Sequence, residues 1–186
     1  MEIHRPGART EPGVVVSLTE PSAPRLRLLP VGADKSLLDG AWWPRSADPV
    51  AELPGLILAV DTLRAGPVTR LMLHASTWNT HPIRLAVAGR VVRLGYLTSH
   101  PVDLLIALCG SAGVHVDLLT VPPDTPQDIA ELSMARAASA DNKLRIEDLV
   151  EAMRASSTQH DMWESEGGHL ARASNSSDGR GASNGD

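Results

Sequence analysis

Histidines and an acid at one end of a hairpin are the first residues with the types and spacing for chemistry. The segment TWNTHPIRL sets Trp78 and His81 just before a strand pattern, and TSHPVDLL sets His100 just after the strand that follows. With a tight turn at Gly89-Arg90, Ala88 would pair with Val91, and both imidazoles would emerge at the same open end. Asp103 and His74 would add further donors there. Two or three such ligands suit a transition metal, and an imidazole beside a carboxylate suits acid–base work. The spacing is loop-like, however, with no HExxH or other close signature, so no metal is assigned. A histidine before proline at a strand end serves equally well as a turn residue.

Stacking is the second chemistry. GAWWPRS, residues 40–46, puts two of the four tryptophans side by side in a chain with one tyrosine and no phenylalanine. Successive side chains of an extended segment point to opposite faces, so both rings cannot enter one core layer. Trp42 is read as a core anchor. Trp43 is either covered by the following helix or left at the surface near Arg45, where the two would form a platform for an anionic or planar ligand. Anion binding is the third chemistry. Arg25, Arg27, Arg70, Arg84 and Arg93 all fall on strand patterns, opposite the apolar residues. They make either a stripe for phosphate or an acidic partner, or simply a solvated face.

Nucleophilic and nucleotide chemistry finds little support. Cys109, the one cysteine, ends an apolar strand pattern and reads as a small buried hydrophobe. No GxSxG, P-loop or GxGxxG occurs, and no catalytic residue or cofactor is assigned. The net charge of -5 argues against nucleic acid as a partner. Only Lys35 and Lys143 are lysines; an Arg-, Ala-, Gly- and Pro-rich composition with so few lysines fits a GC-rich genome.

The elements that would position these residues are mostly strands. A chain of 186 residues fits one domain, with room for a tail. Residues 1–24 hold four prolines and read as an irregular arm, with at most a short strand at Val14–Val16. Period-two alternation marks strands at Arg25–Leu28, Val68–Ala75, Ile83–Val87, Val92–Tyr96, Leu104–Leu108 and Val114–Leu118. The Gly89-Arg90 turn and a second turn at Gly110–Gly113 join them into hairpins.

Asp48-Pro49 opens a helix that Pro54 would kink or delay, Thr125-Pro126 opens a second, and Ile146, Leu149, Val150 and Met153 define a third. The expected fold is α+β: a curved antiparallel meander or partly closed small barrel, one helix (about 48–64) after the first strands, and two C-terminal helices. The domain is placed at 25–154, and the Ser-, Gly- and acid-rich 155–186, with Trp163, reads as a disordered tail. No apolar run approaches the roughly 20 residues of a membrane span and no secretory leader is visible, so a cytoplasmic protein is expected.

RLRLLP, LDGAWWPRSADPVAELPGLI, TWNTHPIRLAVAGRVVRLGYL and VDLLTVPPDTPQDIAELSM, in this order, resemble a family of small uncharacterised actinobacterial proteins with GAWWPRS and LLxVPPxT motifs. The resemblance spans about residues 25–140. It implies a bacterial domain of unknown function, carries over no catalytic residue, and implies that Val121-Pro122-Pro123 links the last strand to its helix. Two readings follow. One is a non-enzymatic binding or regulatory domain that meets a protein or small anion through the sheet's polar face and the Trp43/Arg45 corner. The other is a small enzyme or ligand/metal-binding β-domain with a pocket near Trp78, His81 and His100.

Overall fold

The computed structural model describes residues 13–30, 37–63, 66–110 and 114–173. Its strands are β1 (Val15–Val16), β2 (Arg25–Leu28), β3 (Gly40–Trp43), β4 (Val68–His74), β5 (Arg84–Val87), β6 (Arg90–Leu97), β7 (Leu104–Cys109) and β8 (Val114–Thr120). The helices are α1 (Pro49–Leu63), α2 (Gln127–Ala137) and α3 (Ile146–Ala173). The class is α+β, with one helix after the first strands and two at the C-terminal end.

The eight strands form one open sheet in the order β1-β5-β6-β4-β7-β8-β3-β2. It is mixed rather than a plain meander: β1/β5, β4/β6 and β3/β8 run parallel. β4 slips between β6 and β7, which period-two alternation cannot foresee, because alternation fixes a strand's faces and not its neighbours. The first hairpin also turns one residue earlier than expected. Val87 pairs with Arg90, and Ala88 (φ 48) and Gly89 (φ 77) both adopt positive φ, as a twist-matched two-residue turn requires. The turn expected at Gly110–Gly113 lies mostly outside the described residues.

Each face of the sheet has its own core. Trp42, Leu71, Leu73, Leu85, Val92, Leu105 and Leu118 pack beneath Leu53, Leu56, Ile57 and Val60 of α1. On the other face Ala41, Trp43, Leu119 and Val121 pack beneath Ile129, Ala130 and Met134 of α2 and Ile146, Leu149, Val150 and Met153 of α3. The adjacent tryptophans thus enter two cores, and each ring removes about 200 Å² from water, a gross gain of about 5 kcal/mol.

Asp48 caps α1 by accepting the Val50 N–H at 2.9 Å, and the helix starts at Pro49 despite Pro54 in its interior. Gly55 lets it approach the preceding arm, because a Cβ there would lie 2.1 Å from the Ser22 carbonyl oxygen. Asp61 ties the C-terminal end of α1 to the sheet through an ion pair with Arg90 and the Val68 N–H at 2.7 Å. α3 stays helical to Ala173, into the segment whose composition suggests a tail. Its Ser156 and Ser157 hydroxyls donate to carbonyls four residues back, at 2.8 and 3.1 Å, so these polar side chains are satisfied within the helix. The Trp163 side chain and residues 174–186 lie outside the described part.

Candidate ligand-binding face

Among the described residues, helices cover the second face of the sheet at one end only, and its core takes no residue from β4, β5 or β6. On those strands Leu71, Leu85 and Val92 point into the α1 core, so alternation sends Arg70, Arg84 and Arg93 to the other side. The registers align them. Arg84 stands opposite Arg93 across β5/β6, and Arg93 opposite Arg70 across β4/β6. A β-bulge between Val68 and Arg70 sets the last of these and places it opposite Leu108. At about 4.8 Å per strand, three guanidinium stems share a row roughly 10 Å long. Arg70, Arg93, Val91 and Leu108 border a hollow of about 440 Å³. Neither Arg70 nor Arg93 makes an ion pair with a described residue.

The arginines at the far end of this face are engaged differently. Arg25 lies over the Trp43 ring at 3.4 Å. Its guanidinium donates to the Trp43 and Pro44 carbonyls at 3.0 and 2.6 Å. Desolvation lowers its pKa, Arg45 adds to that, and Glu52 opposes it. Trp43 is 7% exposed, and its indole N–H donates to the Pro122 carbonyl at 3.1 Å. Arg45 reaches the Ala23 carbonyl at 3.1 Å, and its backbone N–H donates to Glu52 at 3.1 Å. The Trp43/Arg45 corner therefore fastens β2, β3 and α1 together.

The histidines have separate partners, although His74 does act electrostatically on Asp103. Trp78 is buried and stacks on Trp42, with centroids 5.8 Å apart. His81 meets the edge of Tyr96 at 4.7 Å, and its Nε2 lies 2.6 Å from the Ala75 carbonyl. The shifted turn explains this: extending its register brings Tyr96 opposite His81. Burial pushes the Tyr96 hydroxyl up to about 12, and that hydroxyl donates to the Pro82 carbonyl at 3.2 Å. His100 instead acts electrostatically on Asp117, whose neighbours Val116 and Leu118 face the α1 core. No group of three or more His, Cys, Asp or Glu among the described residues could hold a metal ion. Cys109 is buried at the end of β7.

Two carboxyls occupy the second face and its margin: Asp117, which the sequence reading passed over, and Asp103, which it placed with the histidines. Burial raises the pKa of Asp117, His115 at 3.6 Å opposes this, Asp39 adds to it, and His100 opposes it again. The Asp117 backbone N–H donates to Asp39 at 2.8 Å. Burial likewise raises the pKa of Asp103, while Arg154 and His74 pull it down. Asp117 carried a weak sequence signal, being an isolated charge within an apolar strand run.

A sequence model described as a family of unknown function, DUF5994, matches residues 25–137. The chain belongs to this family. The DUF5994 match begins at the first residue of β2 and ends at the last of α2, so it holds the arginine row and Asp117 but not α3. No curated protein and no solved structure matches the chain. No helix among the described residues is long and apolar enough to cross a membrane.

Proposed function

We propose that this DUF5994 chain is a non-enzymatic binding domain of the cytoplasm, folded over residues 25–154, that takes an anionic ligand on the open part of its second sheet face. Arg70 and Arg93 are the binding residues, with Arg84 extending the row. The observation that carries this reading is the direct cross-strand register of like charges around a hollow. Opposed arginines cost stability in a sheet, and a shared anion converts that repulsion into paired, charge-assisted hydrogen bonds. Val91 and Leu108 beside them offer an apolar floor for whatever carries the anion. The Trp43/Arg45 corner supports the same face from its other end, and Trp78 and His81 stiffen the sheet's opposite side.

Inorganic pyrophosphate is the probe. Arg70→Gln and Arg93→Gln should each weaken its binding by about tenfold, the loss of one charge-assisted contact. Arg27→Gln, exposed at the far edge, should leave it unchanged. Equal losses from all three substitutions would show diffuse charge attraction and remove the site.

A further inference from the structure

We infer that the cleft between α3 and the Pro101–Asp103 loop is a second binding site, for a primary ammonium group carried on a short apolar body. The cleft encloses about 550 Å³. Val102 of the loop and Ile146 and Val150 of α3 line it with hydrocarbon, and Asp103 lies in the same lining. The Asp103 side chain is only 9% exposed. Its backbone carbonyl accepts the Thr120 N–H at 2.7 Å, which fixes the loop against β8.

No hydrogen bond from a described residue reaches the Asp103 carboxylate. Its one cationic neighbour within 4 Å, the Arg154 Nη2, stands 3.6 Å away on a side chain that is 70% exposed. That distance exceeds a hydrogen bond, so the Asp103 carboxylate has a loose ion pair but no hydrogen-bond donor among the described residues. Burial accordingly holds its pKa above the ordinary carboxylate range, against the pull of Arg154 and of His74.

The rim selects the sign of the ligand. Glu147, Glu151 and Arg154 follow one another at helical spacing on one side of α3, and all three line the cleft. With Asp103 they make three carboxyls against one guanidinium, so an anion is repelled. An alkylammonium presents three donors on a compact head and could reach the floor while its chain lies along Val102, Ile146 and Val150. Arg154 would then be a competitor for Asp103, displaced into solvent when the ligand enters. The cleft takes the loop from inside the DUF5994 match and α3 from beyond it, and it is separate from the arginine row.

The test is calorimetric titration of the full chain with n-hexylamine, beside n-hexanol as its uncharged counterpart and Nα-acetyl-lysine methylamide as a protein-borne form of the same group. Hexylamine should bind at least about tenfold more tightly than hexanol, as expected for one charge-assisted contact to a desolvated acid. Asp103→Asn should abolish the difference. Arg154→Ala, an exposed position with little bearing on folding, should tighten hexylamine binding severalfold. Stronger binding of the lysine derivative would assign the ammonium to a protein partner, and stronger binding of hexylamine to a free amine. Equal affinity for amine and alcohol, or weaker amine binding in Arg154→Ala, would overturn the site.

Discussion

The two faces of the sheet are built from the same strands to opposite standards. The α1 face is sealed: Leu53, Leu56, Ile57 and Val60 close over strand residues that are almost wholly buried. The α2/α3 face is closed over one end and keeps its charges, with Arg70, Arg84 and Arg93 in one row and Asp117 half-buried beside it. The charges on the α1 side are paired, Asp61 with Arg90 and Glu52 with the Arg45 N–H and the Ser46 hydroxyl, whereas the other face tolerates like-charge register and a half-buried acid. That difference is why the proposed ligand site lies on the second face.

The sharpest way to break the comparison is to remove a tryptophan from each side. Trp42→Ala strips a ring from the α1 core together with its stack on Trp78, and should cost about 3–5 kcal/mol in urea unfolding. Trp43→Ala should cost nearly as much, about 3 kcal/mol, because its ring is buried beneath α2 and capped by Arg25. Trp43→Phe should cost only about 1 kcal/mol, chiefly the lost bond to the Pro122 carbonyl. Loss of much less than this in Trp43→Ala would mean that the second face is not a core at all.

A smaller effect separates the faces by pH. Burial raises the pKa of Asp117, so the folded state holds its proton more tightly than the unfolded chain does. Stability from this group is therefore greatest below the unfolded value of about 4 and declines as pH rises through the folded value. Asp117→Asn should flatten that decline in a series of urea melts on the acid side of neutrality, provided that its partner His115 is followed in parallel by its own titration. A steeper decline in the variant would contradict the assigned sign.

Much of this arrangement was legible in the sequence, for identifiable reasons. The faces of Leu71, Leu85 and Val92 follow from alternation, and the start of α1 follows from Asp48-Pro49. The rule that neighbouring extended residues diverge separated Trp42 from Trp43. It could not say that a second core waited for Trp43, because α2 and α3 reach it from more than 80 residues away in the sequence. The register at the histidine end was not legible for a smaller reason: Ala88 adopts a conformation unusual for alanine, the turn moves by one residue, and His81 meets Tyr96. Arg84, Arg93 and Arg70 were visible as strand residues, but their row depends on β4 lying beside β6, a non-local pairing with no local signature.

That row gives the smallest predicted effect and the most discriminating one. Arg93 is exposed and stands opposite an arginine on each side. Arg93→Gln removes the repulsion from Arg70 while keeping a long polar side chain, so it should stabilise the fold by about 0.3–1 kcal/mol at low ionic strength. In about 1 M salt, where screening acts within roughly 3 Å, the gain should nearly vanish. The same substitution should weaken pyrophosphate binding. A variant that is more stable yet binds less is the signature of charge retained for a ligand at a cost to the fold. If Arg93→Gln instead lowers stability at low salt, the row is already neutralised by the chain itself, and the second face would be as closed as the first.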